Sequence, residues 1–310
     1  MGTPEFAVPT LELLIKQGHN IKGVYTQPDR PRNRGQRLCC SPVKEVALKN
    51  NIPVFQPLSL RKGDDAKLEL DRLKRIEPDA IVVVAYGQIL PEGILDIPKY
   101  GCINVHASLL PKYRGAAPIQ WAIANGEKET GVTTMYMAKG LDTGDMILKE
   151  SLPITADMTG CVLHDELSKL GASLLIKTLD LLEKGEAPRE VQDDSSSCYA
   201  PIILKDMLEI DFTKSAFQVK NFIMAMSDKP GAYSFLCSKR LKIYKAEIVE
   251  GEYNYAPGTL VDLSDFIVVC GDKRALKLTD IQLEGCKKMS AQECMRGRKI
   301  EVYTVLGKKK

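Results

Sequence analysis

The apolar run Asp79-Ala-Ile-Val-Val-Val-Ala85 constrains the fold more than any other stretch of the chain. Its β-branched residues show no polar alternation, which is typical of a strand buried on both faces of a parallel sheet. An amphipathic, charged helix is predicted over 65–76, and a second strand over 102–106. Strands and helices keep alternating as far as a long predicted helix over 159–184. This rhythm predicts an α/β fold with a Rossmann-like, doubly wound, mostly parallel sheet.

The amino-acid composition of the chain changes after residue 186. Proline, serine and acidic residues over 187–204 indicate a linker. Beyond the linker, one helix is followed by short strand-like runs separated by turn residues, the last of them over 299–306. This pattern predicts a small antiparallel β-barrel of the OB-like kind. We therefore predict a first domain over 1–186 and a second domain over 205–310.

The start of the chain does not fit a complete βαβ pattern. It opens at the turn Gly2-Thr-Pro4 and enters a predicted helix over 5–17. In a doubly wound domain, a first strand would normally precede such a turn, and that strand is usually central in the sheet. Either the sequence is truncated before Gly2 or the sheet tolerates the loss of that strand, and we favour truncation.

Composition argues against several classes of protein. The hydrophobic content of 44% and the charged content of 27% are ordinary for a globular chain. No apolar run approaches the roughly 18 residues of a membrane helix, and no secretory signal is visible. The cysteines are scattered and form no C-x-x-C pair, which argues for a reducing compartment and against a zinc site. The fingerprint G-x-G-x-x-G is absent, so NAD binding is not expected. We predict a cytoplasmic protein with no membrane partner.

The predicted strand over 102–106 ends in residues that can carry chemistry. Strand alternation places Asn104 and His106 on one face, and the strand stops at Ser108-Leu-Leu-Pro111 because proline lacks an N–H. In open α/β sheets, ligands bind at the carboxyl ends of strands. Imidazole can transfer protons near neutral pH, and an amide can stabilise an oxyanion. A carboxylate of the turn over 140–145, Asp142 or Asp145, could orient the imidazole.

A basic loop is predicted over 27–41. Arg30, Arg32, Arg34 and Arg37 lie in it, and no acidic residue separates them. Four guanidinium groups on a loop suit contacts with phosphates and with unpaired bases. A solvated loop is about as plausible on charge alone. The chain from Lys205 onward is modestly basic, which permits a polyanionic partner without requiring one.

The chain resembles the methionyl-tRNA formyltransferases, a branch of the 10-formyltetrahydrofolate transferase superfamily. The resemblance covers nearly the whole length, and the superfamily's pattern Asn-x-His-x-Ser-Leu-Leu-Pro followed by Leu-Asp-x-Gly is matched. The motifs that carry the resemblance include Thr26-Gln-Pro-Asp-Arg-Pro31, Asn104-Val-His-Ala-Ser-Leu-Leu-Pro111, Arg114-Gly-Ala-Ala-Pro-Ile-Gln120 and Gly140-Leu-Asp-Thr-Gly-Asp-Met146.

The resemblance implies a catalytic trio of Asn104, His106 and Asp142. It implies direct transfer of the formyl group from 10-formyltetrahydrofolate to an amine, with no metal and no covalent intermediate. It also implies a folate site, with a cis peptide bond between Leu110 and Pro111. The residues expected at this site are Ser108, Leu109, Leu110, Pro111, Tyr86, Gly87, Gln88, Ile89 and Leu90.

The resemblance further implies that initiator methionyl-tRNA is the partner and that the protein is a monomer. The basic loop would face the tRNA, with Arg34 at the position of the arginine that the family uses on the acceptor arm. Two alternatives are a formyltransferase acting on a small amine, such as a purine precursor or an amino sugar, and a non-catalytic RNA-binding protein. The second domain and the basic loop argue against the small amine, and the intact trio argues against the non-catalytic protein.

Overall fold

A computed structural model describes residues 1–32, 37–296 and 300–307. The chain divides into two compact units that interleave along the sequence. The first unit contains Met1–Gly115, Thr130–Leu152 and His164–Tyr199. The second unit contains Ala116–Glu129, Pro153–Leu163 and Ala200–Lys310. In the part of the chain that is described, no helix is both long and apolar enough to cross a bilayer.

The secondary structure follows the predicted alternation in the first half of the chain. The α-helices are α1 Val8–Lys16, α2 Pro42–Lys49, α3 Gly63–Ile76, α4 Glu92–Leu95, α5 Pro118–Ala124, α6 Gly160–Lys184, α7 Ala216–Met226 and α8 Ala291–Met295. The strands are β1 Val24–Tyr25, β2 Arg30–Arg32, β3 Arg37–Cys39, β4 Val54–Phe55, β5 Ile81–Val83, β6 Cys102–His106, β7 Arg114–Gly115, β8 Glu129–Tyr136, β9 Met146–Pro153, β10 Tyr199–Ala200, β11 Ala232–Leu236, β12 Lys239–Val249, β13 Leu260–Asp262, β14 Ile267–Val269, β15 Ala275–Leu283 and β16 Met289–Ser290.

The main sheet of the first unit has the order β5-β6-β8-β9. The pair β5–β6 is parallel, whereas the pair β6–β8 is antiparallel, with His106 opposite Thr133. The prediction of a mostly parallel sheet is therefore wrong, and the sheet is mixed. The physical reason is the place at which the chain re-enters the sheet. Strand β8 begins at the end of the sheet where β6 stops, so it runs antiparallel to β6. A parallel strand would require the chain to cross first to the opposite end of the sheet.

The amino terminus lies between two parallel strand pairs. The Met1 amine donates to the Val82 carbonyl (2.6 Å), and the Val84 N–H donates to the Met1 carbonyl (2.9 Å). On the other side, the Gly2 N–H donates to the Tyr25 carbonyl (2.9 Å). Tyr25 belongs to β1, which pairs in parallel with β4 as a separate two-stranded sheet. Met1 and Gly2 thus make strand-type hydrogen bonds to β1 and to the chain around β5.

Helix α6 covers one face of the main sheet. Its side chains Leu167, Leu175 and Leu182 are buried at helical spacing. A Cβ atom on Gly171 would lie 2.8 Å from Cγ1 of Val105, so the absence of a side chain lets α6 approach β6 closely. Since strand side chains alternate, the opposite face of β6 is left for Asn104 and His106.

The predicted basic loop contains a short β-ribbon. Strands β2 and β3 pair antiparallel, with Arg30 opposite Cys39 and Arg32 opposite Arg37. The sequence did not indicate this ribbon because Pro31 and the charged residues around it have low strand propensity. Residues 33–36, including Arg34, lie outside the described residues.

The second unit contains an antiparallel sheet in the order β11-β12-β15-β14-β13. A closed OB-like barrel is not confirmed, because the path is open between β11 and β13 among the residues that are described. The prediction of a strand over 299–306 is wrong for the described part, 300–306, where only an isolated bridge joins Thr259 and Val305. Hydrogen bonds in this segment are mostly to the start of β13, and a single bond joins Gly307 to Phe235 of β11 (2.9 Å).

In a chain whose first residue is Met1, the buried amine of that residue makes the free energy of unfolding depend on pH. Burial lowers the pKa of this amine from 8.0 to about 5. Between these values the unfolded chain binds the proton and the folded chain does not, so the free energy of unfolding decreases as pH falls from 8 to 5. We expect a loss of up to about 4 kcal/mol across this window for a chain that begins at Met1.

Denaturant titrations of the chain and of its amino-terminally acetylated form, at several pH values, measure this loss. Acetylation removes the titrating group while leaving His residues and carboxyl groups unchanged, so the difference between the two forms isolates the Met1 amine. Equal pH dependence of the two forms would contradict the prediction.

Candidate active site

Asn104 and His106 lie at the carboxyl end of the central strand β6. On one side Val83 of β5 is opposite Asn104, and on the other Thr133 of β8 is opposite His106. Because β5 and β6 are parallel, both end at the same edge of the sheet. The loop that follows β5 therefore emerges beside the amide and the imidazole.

The turn that follows β6 is held by Thr133, which the sequence analysis missed. The Thr133 hydroxyl donates to the Ser108 carbonyl (2.7 Å) and accepts from the Leu110 N–H (3.1 Å). The Ser108 hydroxyl donates to the Lys112 carbonyl (2.6 Å). Ser108 and Thr133 are fully buried. The sequence signal for Thr133 is weak, a hydroxyl within a buried strand.

The His106 ring is buried and has a polar group at each nitrogen. Its Nε2 lies 2.9 Å from the Tyr113 carbonyl oxygen. Because a carbonyl oxygen only accepts, Nε2 carries the proton in the neutral ring. Its Nδ1 lies 3.6 Å from Oδ2 of Asp142, which is an ion-pair distance when the ring is protonated but too long for a hydrogen bond. The carboxylate therefore stabilises the protonated imidazole by its charge.

The Asp142 carboxylate connects three parts of the site. Its Oδ2 accepts from the Gly115 N–H (2.9 Å), and its Oδ1 is 3.4 Å from the Asn104 amide nitrogen. Asp142 has a φ of 52°, in the left-handed region, which aspartate tolerates better than most residues. A Cβ on Gly144 would lie 1.8 Å from the Tyr136 carbonyl oxygen, so the motif Asp-x-Gly requires glycine there.

The structure distinguishes Asp142 from Asp145. The Asp145 carboxylate pairs with the guanidinium of Arg189, at 3.4 Å, and the Arg189 guanidinium in turn lies 3.7 Å from the ring centroid of Tyr136. Asp142, by contrast, reaches both Asn104 and His106. The geometry therefore brings together the three residues that the resemblance implied.

Gln192 fixes the Asp142 turn and was also missed. Its Nε2 donates to the carbonyls of Asp142 and Gly144 (both 2.8 Å), and its Oε1 accepts from Nε of Arg114 (2.9 Å). The side chain is buried, and all of these partners belong to the first unit. Gln192 lies in the segment predicted to be a linker. Because most residues of that segment are polar, nothing in the sequence singled out Gln192.

The residues expected at the folate site differ in exposure. Tyr86 and Leu90 are buried in a core cluster with Ile81 and Val83, and burial raises the pKa of Tyr86 above its usual range. Gln88 is bound to the neighbouring loop: it accepts from the Leu60 N–H and donates to the Pro57 carbonyl, each at 2.9 Å. The exposed members are Gly87 and Ile89.

The turn over 108–111 has the expected backbone. Leu110 is buried, Leu109 is half-buried, and the peptide bond between Leu110 and Pro111 is cis, as the resemblance implied. The chain then reverses at Tyr113, whose φ is 60°, and returns its carbonyl to His106. This turn therefore lies directly beside the imidazole.

The basic ribbon is anchored at its base by Asp29. The Asp29 carboxylate accepts from Nζ of Lys44 (2.6 Å) and from Nε2 of Gln56 (2.8 Å), and these bonds lower its pKa. Arg30 follows directly and is exposed. For Arg32 and Arg37 the structure describes the backbone alone, which belongs to the ribbon. The base of the ribbon next to Arg30 is therefore fixed at Asp29.

Two family models match the chain. The model of the formyl transferases matches residues 1–179, which is more than half of the chain. The model of the formyl transferase C-terminal domain matches residues 202–299. The first match contains Asn104, His106 and Asp142.

Solved structures with low sequence identity share the fold. The sugar 3N-formyl transferase WlaRD, crystallised in the presence of dTDP and 5-N-formyl-THF, matches 92% of this chain and 97% of its own, with a TM-score of 0.67 and 23% identity. The N-formyltransferase of Helicobacter canadensis, in complex with folinic acid and dTDP-3-aminofucose, matches 93% and 97%, with a TM-score of 0.62 and 21% identity.

Curated relatives match at much higher identity. The methionyl-tRNA formyltransferase of Alkaliphilus oremlandii is 51% identical over 308 residues, 99% of this chain and 98% of the relative. That of Caldanaerobacter subterraneus is 50% identical over 306 residues, again 99% and 98%. Since half of the residues are identical over almost the whole length, the chain belongs to the methionyl-tRNA formyltransferase family.

Proposed function

We propose that this chain transfers the formyl group of 10-formyltetrahydrofolate to the α-amino group of initiator methionyl-tRNA, by direct attack of the amine on the formyl carbon. The observation that carries the proposal is the convergence of Asn104, His106 and Asp142 at the end of β6. In a chain of this family, that convergence supplies an oxyanion donor, an acid–base group and a fixed charge in one place.

The reaction forms a tetrahedral intermediate. The amine nitrogen bonds to the formyl carbon, and the carbonyl electron pair moves to the oxygen. That oxygen becomes an oxyanion, which a hydrogen-bond donor stabilises. The Asn104 amide supplies an N–H for this purpose, since its long 3.4 Å contact with Asp142 leaves its donors weakly engaged. The bond from the formyl carbon to N10 then breaks.

Two protons must move during the transfer. The attacking amine loses a proton, and N10 gains one when it leaves. His106 carries out both steps as acid–base group, because imidazole exchanges protons near neutral pH. Asp142 stabilises the imidazolium and is itself fixed by the Gly115 N–H and by Gln192.

The folate co-substrate fits the edge of the sheet beside the trio. The turn over 108–111 supplies a half-buried apolar side chain, Leu109, and Gly87 and Ile89 are exposed on the loop after β5. Apolar side chains with nearby backbone groups suit a flat heterocycle whose edge carries donors and acceptors. The co-substrate supplies the formyl group, and the chain's own residues orient it and move the protons.

The tRNA is bound by the basic ribbon in this proposal. Arg30, Arg32, Arg34 and Arg37 contact phosphates and unpaired bases of the acceptor end. The domain boundaries at 186 and 205, the monomeric state and the cytoplasmic location stay predictions that accompany this function.

A comparison of acceptors tests the function. We expect labelled formyl to move from 10-formyltetrahydrofolate to methionyl-tRNA at least about a thousandfold faster than to glycinamide ribonucleotide or an amino-sugar nucleotide. His106→Ala should lower kcat by about 10²- to 10⁴-fold, the usual contribution of an acid–base group, while tRNA affinity is retained.

The matched control is His164→Ala. This second histidine packs on the ring of Phe6 and pairs with Asp165, so its loss should leave kcat within about twofold of the parent protein. Transfer to a small amine without transfer to methionyl-tRNA would overturn the function. Unchanged turnover of the His106 variant would remove His106 from the mechanism.

Gln192 is predicted to act as a positioning residue. Gln192→Ala and Gln192→Glu each remove the two bonds donated to the Asp142 turn, and the glutamate retains an acceptor for Arg114. Because displacing a reacting group by about 1 Å can cost a hundredfold in rate, we expect both variants to lower kcat by about 10- to 100-fold. KM for either substrate should change by less than about threefold.

Steady-state kinetics over a range of pH, together with thermal melting, measure this effect. Gln282→Ala serves as the control, since its side chain accepts from the Tyr244 hydroxyl and donates to the Cys286 carbonyl in the second unit. A lower melting temperature with unchanged kcat and pH profile would mean that Gln192 only stabilises the fold.

The arginines of the ribbon should govern the salt dependence of tRNA binding. Each of Arg30→Ala and Arg34→Ala should weaken binding and reduce the slope of log affinity against log salt by about 0.7 to 0.9, the loss of one phosphate contact. Filter binding or fluorescence titration at several salt concentrations measures the slope. Arg61→Ala, which removes an exposed arginine outside the ribbon, is the control. Equal slopes for all variants would refute the ribbon as the tRNA contact.

A further inference from the structure

Tyr113 connects the His106 ring to a distant part of the chain. Its carbonyl accepts from Nε2 of His106 (2.9 Å), and its N–H donates to Sγ of Cys198 (3.2 Å). The following residue makes a second bond to the same partner, because the Arg114 N–H donates to the Cys198 carbonyl (2.9 Å). Cys198 thus accepts from two successive N–H groups, and the carbonyl between them is the one that the imidazole contacts.

The backbone at Tyr113 requires such support. Its φ of 60° lies in the left-handed region, which a bulky aromatic residue adopts only at a cost in free energy. A residue in this region keeps its conformation where the surrounding contacts fix it. The two bonds to Cys198 fix the peptide groups on both sides of the Tyr113 Cα atom. They therefore determine the direction in which the Tyr113 carbonyl points.

A packing role does not explain Cys198. The residue is exposed, so removal of its side chain leaves no core cavity, whereas Tyr113 is buried. The side chain supplies an acceptor for the Tyr113 N–H, and a buried N–H that loses its acceptor costs free energy unless the backbone shifts to pair it elsewhere. Because sulfur is a weak acceptor and a hydroxyl oxygen is a stronger one, serine can replace the thiol in this contact.

The bonds of Cys198 complement those of Gln192. Gln192 fixes the turn that carries Asp142, which faces Nδ1 of His106, and Cys198 fixes the residue whose carbonyl contacts Nε2. We refer to residues 192–198, which belong to the first unit, as the strap. The surroundings of both nitrogens of one ring are thus fixed by one short segment.

The strap has hydrogen bonds of its own between its two ends. The Asp193 carboxylate accepts from the Ser195 N–H (3.0 Å) and from the Ser196 hydroxyl (2.6 Å). The Asp194 carboxylate accepts from Nη2 of Arg114 (2.7 Å). These bonds close the strap into a defined turn, so its acceptors are held in place for the residues beside the imidazole.

We propose that Cys198 is a positioning residue for His106. By accepting from the Tyr113 N–H, its thiol holds the Tyr113 carbonyl next to Nε2, and this carbonyl fixes which ring nitrogen carries the proton and how the ring is turned. The bond made by one ring nitrogen decides which tautomer is present, so an acid–base histidine depends on it. The effect on the rate rests on the function proposed above, whereas the effect on the ring itself does not.

Substitutions at Cys198 distinguish a hydrogen-bond acceptor from a side chain that only occupies space. Cys198→Ser keeps an acceptor beside the Tyr113 N–H, whereas Cys198→Ala and Cys198→Val remove it, and valine preserves the bulk of the side chain. The matched control is Cys237→Ala, which removes an exposed cysteine in the turn between β11 and β12 of the second unit. Steady-state kinetics, NMR of the histidine rings and thermal melting are measured for each variant.

The NMR measurement reports on the His106 ring directly. The chain has three histidines, and the spectrum of the His106→Ala variant assigns the signals of this ring. At about pH 9, where imidazole is neutral, the nitrogen chemical shifts distinguish a ring protonated at Nε2 from one protonated at Nδ1. We expect the Nε2-protonated form in the parent protein, in Cys198→Ser and in Cys237→Ala. The alanine and valine variants of Cys198 should show a mixture of the two forms.

The kinetic measurement reports on the consequence for transfer. Because displacing a reacting group by about 1 Å can cost a hundredfold in rate, we expect Cys198→Ala and Cys198→Val to lower kcat at least about tenfold. KM for either substrate should change by less than about threefold. Cys198→Ser and Cys237→Ala should stay within about threefold of the parent protein in kcat.

Four results would overturn the proposal or the function on which it rests. An unchanged tautomer in both the alanine and valine variants of Cys198 would refute the positioning role, and so would a changed tautomer with unchanged kcat. An equal loss of kcat in Cys198→Ser and Cys198→Ala would mean that the acceptor is not what matters. The absence of transfer to methionyl-tRNA by the parent protein, with the expected change of tautomer, would refute the proposed function and leave the positioning of His106 supported.

Discussion

The candidate site depends on one half-buried carboxylate, that of Asp142. Asp142 accepts from the Gly115 N–H, lies within reach of the Asn104 amide, and faces the His106 ring, so strand β6 and the chain at Gly115 meet at its two oxygens. The carboxylate faces the imidazole at an ion-pair distance, so its charge stabilises the positive charge that the ring carries during the proposed proton transfers. Gln192 fixes the backbone of the same turn, so the charge is held in position before substrate arrives.

The sheet explains why these parts meet where they do. Parallel pairing of β5 and β6 brings the loop over 84–90 to the edge where His106 lies, and antiparallel pairing of β8 brings Thr133 to the same edge. Helix α6 can cover the opposite face closely because Gly171 has no side chain to contact Val105. One face of β6 is thus used for packing, and the other is left for polar groups.

Local patterns in the sequence predicted the parts of this arrangement that depend on neighbouring residues. Strand alternation placed Asn104 and His106 on one face, and the bounds of β6 agree with the predicted 102–106. Serine followed by proline is a local signal for a helix start, and at the start of α2 the Ser41 side chain accepts from the Lys44 N–H. The resemblance to a family, and not spacing alone, selected Asp142 over Asp145.

The features that sequence patterns did not predict depend on contacts between residues far apart in the chain. Thr133 and Gln192 act on backbone groups 23 to 50 residues away, and nothing in their own surroundings in the sequence indicates such partners. The direction of β8 was missed for a similar reason, since it depends on the edge at which the chain returns to the sheet. Closure of the second sheet is not confirmed in the described residues, and the sequence could not decide it because short strands with turns fit open and closed arrangements equally well.

The amino terminus is hydrogen-bonded to the loop beside the trio. Next to Gly2, the Thr3 hydroxyl donates to the Tyr86 carbonyl (2.9 Å) and accepts from the Gln27 N–H (3.3 Å), and the Gln27 side-chain amide also donates to the Tyr86 carbonyl (3.3 Å). Because the Gly2 N–H donates to the Tyr25 carbonyl as well, these bonds fix the start of the loop that carries Gly87 and Ile89 relative to β1. The loop at which the folate is proposed to bind is therefore held by residues that are distant from it in the sequence.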